Sequence, residues 1–426
     1  MPNPLSATEA AAAIAAGKLS SEQLVTACLE RIAAREPEVQ AWATIDAELA
    51  LQQARARDQE PPRSRLHGIP VGVKDVIDTC DMPTEYGSPI WRGHRPACDA
   101  ACVAQVREFG GVILGKTVST EFATRQPNKT RNPHNLAHTP GGSSSGSAAA
   151  VADGMAPIAF GTQTSSSTIR PAAYCGVVGY KPTFGMINRA GMKFLAESVD
   201  TIGLLARTVE DCALLTETLA GLPQTSFANL ASHKPRIGFC RTPYWSSADA
   251  AMQAHVENAA RKLAAAGARV TDVTLDGEFA ALAQTQIEVS GYEFSRALTH
   301  ERTRHAELIS ASLTGRIAAG LKVTRAQYEA GQALAQRCRT RVIDVFRDYD
   351  MLLAPSAPGE APAIVGTGGT GDPIFGLMWT LLHLPCISVP SGKGAQGLPL
   401  GVQFIGPHMG DSHLFVSAAW GARALT

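Results

Sequence analysis

Apolar positions near the N-terminus recur at helical spacing, and two short polar signals mark where helices begin. Ser6-x-x-Glu9 and Ser20-x-x-Gln23 are capping-box patterns, each ahead of an Ala/Leu-rich run. Ile32, Val39 and Trp42 continue the spacing until Pro61 and Pro62 break it, so the first sixty residues are expected to be helical. The period then changes. Gly68-Ile-Pro-Val-Gly-Val-Lys74-Asp-Val-Ile-Asp78 alternates apolar residues at strand spacing, with Lys74 inside or at the end of the strand. Residues 101–109 predict a helix, 112–114 a short strand and 119–122 the start of another helix. A small-residue helix over 147–152 precedes an apolar strand over 155–160.

Further on, 235–239 reads as a strand and 250–267 as an amphipathic helix with Gly267 near its end. A strand pattern covers 269–275, a long helical reading covers 279–347, and the Gly-rich stretch 366–371 predicts a loop. Residues 397–406 return to a buried strand pattern before a closing helix. Strands alternating with helices predict an α/β fold, an α/β/α sandwich around a central sheet. No periodic repeat is present.

Composition narrows the function classes. Hydrophobic residues make up 45% and charged residues 18% of 426, as in an ordinary soluble globular protein. Lys plus Arg equals Asp plus Glu at 38 each, with no basic run, which weighs against nucleic-acid binding. No stretch approaches the roughly 18 apolar residues of a membrane span, and Met1-Pro-Asn-Pro-Leu-Ser6 lacks the charged and apolar regions of a secretory signal. Nine irregularly spaced cysteines predict no disulfide framework and a reducing, cytoplasmic setting. Cys98 and Cys102 are spaced one helical turn apart, but no second Cys/His pair accompanies them, so neither a metal nor another cofactor is expected.

Three features carry chemistry. The first is Lys74 in its apolar strand. The second is Thr139-Pro-Gly-Gly-Ser-Ser-Ser-Gly-Ser147, which has a linker's composition but sits between core elements. The third is Gly161-Thr-Gln-Thr-Ser-Ser-Ser-Thr-Ile-Arg170-Pro-Ala-Ala-Tyr-Cys-Gly176. In this order they resemble the amidase signature family, and Gly179-Tyr-Lys-Pro-Thr183 and Gly397-Leu-Pro-Leu-Gly-Val-Gln403 extend the resemblance over most of the chain. The resemblance implies a single domain over 1–426 built on a large mixed sheet flanked by helices. Its parts would be N-terminal helices (1–60), a catalytic core (61–220), a variable substrate-side helical region (221–350) and a return to the sheet (351–426).

The resemblance also implies a Ser–Ser–Lys triad. The family lysine falls on Lys74 and the nucleophile on Ser167. The bridging serine, held by a cis peptide bond, lies 24 residues before the nucleophile and falls on Ser143, with Ser144 and Ser145 as adjacent alternatives. Backbone N–H groups of Thr164, Ser165, Ser166 and Ser167 would form the oxyanion hole. The chemistry is coherent: a serine hydroxyl needs a base, and an amine buried in an apolar strand is favoured in the neutral form that can act as one.

Two departures from the family pattern matter. Most members carry arginine two residues after the nucleophile, whereas here Ile169 stands there and Arg170 follows. With Gln163 this is similar to the malonamidase branch, which implies a carboxylated amide read by Arg170 near the site's mouth, with Thr164 as a wall. The other departure is Ser165-Ser166 where the family has glycine, or alanine then glycine. Glycine permits φ > 0, so two serines predict a distorted oxyanion hole, a hydroxyl in the acyl pocket, or an added substrate contact. Tyr86, Trp91 and His134 are further candidates for the pocket lining, Asp75 is expected to be structural, and Trp379 and His383 to pack in the core.

The leading expectation is therefore a cytoplasmic amidase that cleaves a small carboxamide, such as malonamate, to carboxylate and ammonia. Its partner is a small-molecule amide, with no nucleic acid or membrane; a homodimer is left open. The alternatives are hydrolysis of substituted amides or esters, a role within a tRNA-dependent amidotransferase, and an inactive binder. Length and zero net charge weigh against the amidotransferase role. Nucleotide binding is remote, because the glycine-serine loop lacks a Gly-Lys-Ser/Thr end.

Overall fold

The computed structural model describes residues 4–275, 277–365 and 369–425. Both capping boxes form: Ser6 opens α1 (Ala7–Ala15) and Ser20 opens α2 (Ser21–Val39). The uniformly helical N-terminus is corrected at one place. Trp42 lies not in a helix but in β1 (Trp42–Ile45), a four-residue strand ahead of α3 (Ala47–Asp58). Trp42 is buried, and its indole N–H points at Met155 Sδ, 3.3 Å away.

The strand around Lys74 is β2 (Pro70–Lys74), all five residues buried, and Lys74 is its last residue. Then come α4 (Ala101–Glu108) and β3 (Val112–Thr117). The helix start expected at 119–122 is instead a single 3-10 turn, Glu121–Ala123, in which Phe122 and Ala123 take left-handed backbone angles. The next elements are α5 (Ser145–Ala152), β4 (Ile158–Gln163), α6 (Ile169–Cys175), β5 (Val178–Lys181), β6 (Thr201–Ala206) and α7 (Val209–Ala220).

The 221–350 region supplies β7 (Arg236–Cys240), α8 (Ala250–Ala265) and β8 (Arg269–Val273). Four helices follow: α9 (Leu282–Ala297), α10 (Thr299–Arg304), α11 (Ala311–Lys322) and α12 (Arg325–Val345). The chain closes with β9 (Met351–Pro355), α13 (Ile374–Leu381), β10 (Cys386–Lys393), β11 (Pro399–Ile405) and α14 (Asp411–Leu425). Of the loop expected at 366–371, residues 366–368 lie outside the described residues.

All the strands join one mixed sheet in the order β1-β3-β2-β4-β6-β5-β10-β11-β9-β7-β8, flanked by helices. This is the α/β architecture expected from the alternation of periods. β2 runs parallel to both β3 and β4, with Val73 in register with Phe160. That register sets the end of β2 beside Thr162 of β4, so Lys74 and the Gly161-Thr-Gln segment emerge together at the carboxyl ends of parallel strands. Ligand sites in open α/β sheets commonly lie there.

The serine-rich loop is not a linker. Residues 138–151 are buried, and α5 is buried along seven of its eight residues. Its small side chains let the helix lie against the sheet. The tightest approach is at Gly146, where a Cβ would stand 2.2 Å from the Ala41 carbonyl oxygen and 2.3 Å from the Val118 nitrogen. Both are backbone atoms and cannot swing away. Gly146→Ala is therefore expected to destabilise the fold by about 1–3 kcal/mol, read as a lower urea midpoint; an unchanged midpoint would show that the loop is not clamped here.

Candidate active site

The Lys74 side chain ends in a dry, hydroxyl-lined place. The residue is fully buried, and Nζ donates to Ser143 Oγ at 2.6 Å and to Thr162 Oγ1 at 2.7 Å. Burial holds its pKa well below the ordinary lysine value, because removing water penalises the ammonium. Asp200 opposes this weakly through its charge. Asp200 is itself buried, and desolvation raises its pKa to about 6 even though Thr164 Oγ1 and the N–H groups of Leu195 and Ala196 donate to it.

Among the three loop serines the structure separates Ser143 from its neighbours. Ser144 Oγ accepts from the Thr162 N–H (3.1 Å) and donates to the Thr162 carbonyl, while Ser145 Oγ donates to the Val118 carbonyl. Both serve backbone groups; Ser143 alone faces the lysine. The Gly142–Ser143 peptide bond is cis, at the position the resemblance implies.

Ser167 is held near this pair through the backbone, its carbonyl accepting from the Ser144 N–H at 3.2 Å. Its hydroxyl, however, makes no hydrogen bond among the described residues. The arrangement thus brings Lys74 and Ser143 into contact and leaves the Ser143–Ser167 leg open. Catalytic hydrogen bonds commonly tighten only once substrate is bound.

The loop before Ser167 is rich in free donors. The N–H groups of Thr164, Ser165, Ser166 and Ser167 have no partner among the described residues. Gln163 explains why. Its Oε1 accepts from the N–H groups of Thr168 and Ile169, so those two amides are capped internally and the preceding four are left for a ligand. Gln163 Nε2 donates to Thr380 Oγ1, which donates to the carbonyls of Ser165 and Gly376. Gln286 donates to the Thr164 carbonyl from the far side.

The serines at 165 and 166 do not require the left-handed backbone, since neither is among the residues with positive φ. Ser166 is buried with its Oγ unpartnered, turned toward Gly376 of α13, whose added Cβ would come within 2.6 Å of that oxygen. Ser166 therefore stays out of the cleft, whereas Ser165 lines it together with Thr164 and Ser167. The expected distortion at this pair is absent from the backbone.

Arg170 lies on α6 and is not at the mouth, as the resemblance suggested, but buried at 3% exposure. Its Nη2 donates to the Gly142 carbonyl (2.6 Å) and to Thr370 Oγ1 (3.0 Å). Nε and Nη1 are buried without partners, and no carboxylate among the described residues pairs with it. Burial lowers its pKa to about 10, which still leaves it charged at neutral pH. It lines the same cleft as Ser167.

Other candidates lie elsewhere. Tyr86 donates to Asp78, Trp91 to Glu301 and His134 to the Cys175 carbonyl; none lines the cleft beside Ser167. Asp75 pairs with buried Lys116 at 3.3 Å, a structural role. Trp379 packs in the core on α13; His383 lies just past that helix at positive φ, bonded to Arg339 and the Ser198 carbonyl. Cys102 is buried and Cys98 exposed, and no cluster of three or more potential metal ligands occurs among the described residues. Sequence reasoning missed Thr162, Asp200, Gln286 and Thr380. Thr162 stood in the quoted Gly-Thr-Gln-Thr run; the others approach from distant segments.

The chain is similar in sequence and fold to known proteins. The family model described as Amidase matches residues 23–415. A glutamyl-tRNA(Gln) amidotransferase subunit of Chromohalobacter salexigens is 33% identical, over 96% of this chain and 94% of its own. A crystal structure of an amidase superposes with TM-score 0.90 at 28% identity, covering 99% of this chain and 100% of that one. The native peptide amidase of Stenotrophomonas maltophilia gives TM-score 0.83 at 30% identity, over 98% and 96%.

The sign of the pH dependence follows from Lys74. Unfolded, its amine is protonated at neutral pH; folded, it releases the proton at lower pH. The unfolded chain therefore binds more protons between the two pKa values, and stability rises with pH across that window. With Lys74 as the base, an acidic limb on kcat/KM is expected where pH falls through the folded pKa. Asp200 holds that pKa up, so Asp200→Asn is expected to move the limb to lower pH. A limb that stays put or moves up in the pH–rate profile would remove Asp200 from the electrostatics of the base.

Proposed function

The chain belongs to the amidase signature family, whose members hydrolyse amide C–N bonds, and from that premise we propose that it cleaves a small carboxylated amide through an acyl-enzyme on Ser167. The observation that carries this reading is the dry 2.6 Å contact between Lys74 Nζ and Ser143 Oγ beside Ser167.

Neutral Lys74 takes the Ser143 proton while Ser143 takes the proton of Ser167, and Ser167 Oγ attacks the amide carbonyl. With its lone pair turned to Ser143, the amine still donates to Thr162 Oγ1. The tetrahedral oxyanion is met by the unpartnered N–H groups of 164–167, where loss of one donor typically costs about 2.7–4 kcal/mol. Collapse breaks the C–N bond, and the proton held on Lys74 returns through Ser143 to the leaving nitrogen, giving ammonia. Water then attacks the acyl carbon by the same relay, releasing the carboxylate and restoring Ser167.

Arg170 supports the carboxylated class, since a buried guanidinium with two idle nitrogens suits a carboxylate on the acyl side. Malonamate and similar short mono-amides of dicarboxylic acids fit that description. A second reading is the amidase component of an amidotransferase, favoured by the relatives that carry the name glutamyl-tRNA(Gln) amidotransferase. Ammonia release by the purified chain alone, unaffected by tRNA, separates the first reading from the second.

Ser167→Ala is expected to abolish ammonia release while leaving the circular dichroism spectrum intact; residual turnover would move the nucleophile elsewhere. Arg170→Ala also loosens the Gly142 carbonyl, so the informative quantity is a ratio. Its kcat/KM for succinamate should fall about 10–100-fold more than for propionamide, the worth of a charged hydrogen bond. Equal losses would confine Arg170 to bracing the loop.

A further inference from the structure

The cleft beside Ser167 is lined by three guanidinium groups and, among the described residues, by no carboxylate. Arg170 stands at its buried end. Arg125, exposed, follows the 121–123 turn, and Arg316, partly buried, projects from α11. None of the three forms an ion pair among the described residues. Arg316 packs against a neutral ring, its Cζ lying 4.9 Å from the centre of Phe294. Asp372 attracts Arg170, but its Oδ1 accepts from the Ile374 N–H.

The charges also oppose one another. Burial lowers Arg316 to about 10 and Arg170 to about 10, and in both cases Arg125 adds repulsion. Both stay charged at neutral pH. Elsewhere the chain pairs its arginines freely, as in Arg107 with Asp81 and Asp99 or Arg31 and Arg35 with Asp153. An uncompensated cationic cleft concentrates anions and rewards the ligand that neutralises it. A single carboxylate on Arg170 leaves the other two guanidinium groups of the cleft lining without a counter-charge.

We propose that Arg125 and Arg316 form a second anion-binding point on the outer wall of the cleft, so that the preferred substrate is a small amide carrying two anionic groups. This rests on the reading of the site as an amidase whose Arg170 takes the first carboxylate. The second group is a carboxylate or a phosphate-like oxyanion, because guanidinium recognises both. Arg125 and Arg316 are specificity-determining residues here; they take no proton.

Turnover and binding test this separately. Ammonia release is measured for propionamide, succinamate and the mono-amide of tricarballylic acid. The doubly carboxylated amide should have the highest kcat/KM, at least tenfold above succinamate. Arg125→Gln and Arg316→Gln should each cost it at least tenfold more than they cost propionamide, and Arg316→Lys should recover most of the loss. Equal losses on all three amides would overturn the proposal. Calorimetry on the Ser167→Ala protein keeps the test alive if no amide is turned over. Tricarballylate or phosphonosuccinate should bind at least tenfold tighter than succinate, and the stronger of the two identifies the second group. Loss of that advantage on adding Arg316→Gln supports the second point; binding no tighter than succinate overturns it. Absent turnover with the binding advantage intact would refute the amidase reading alone.

Discussion

An amine buried away from bulk solvent is the constraint on which the site depends. A lysine that ends a buried strand must either find an anion or give up its proton, and Lys74 finds hydroxyls. Desolvation is the first cause of its lowered pKa, and Asp200, the one acidic influence on it, acts without an ion pair. The strand therefore lowers the pKa of the amine as well as fixing its position. The register of β2 against β4 places Thr162 beside the amine, and the loop ahead of α5 brings Ser143 to it.

The rest of the site keeps polar groups open that a fold ordinarily closes. Among the described residues, four consecutive N–H groups before and at Ser167 have no partner because Gln163 caps the start of α6 from inside. The loop is pinned through its carbonyls instead, by Thr380 at Ser165 and Gln286 at Thr164. Holding a loop by its acceptors while leaving its donors free is the preorganisation an oxyanion needs. Arg170 extends the same economy, bracing the Gly142 carbonyl with one nitrogen while its other two have no partner among the described residues.

Much of this was legible in the residues. Period-two alternation located β2 and its terminal lysine, capping boxes located α1 and α2, and the family resemblance singled out Ser143 from three adjacent serines. The misses have physical reasons. β1 is four residues long between helices, too short for periodicity to register, and Trp42 is as apolar in a strand as in a helix. The turn at Glu121–Ala123 needs left-handed angles at Phe122 and Ala123 that no residue type announces. The depth of Arg170 is set by Gly142 and Thr370, and the pinning of the 164–167 loop by Thr380 and Gln286, all remote in sequence. Such contacts carry no local pattern. Nor does the lack of a carboxylate in the lining of the cleft that Arg125, Arg170 and Arg316 share, among the described residues, which becomes visible only when the chain is folded.

The protonation state of one nitrogen decides the account. Lysines labelled with 13C at Cε can be followed by NMR through a pH titration, with Lys74→Met identifying the resonance. A signal that titrates well below the other lysines is the predicted result. A Lys74 that stays an ammonium until it titrates with the exposed lysines would contradict the account, because no base would then stand behind Ser143.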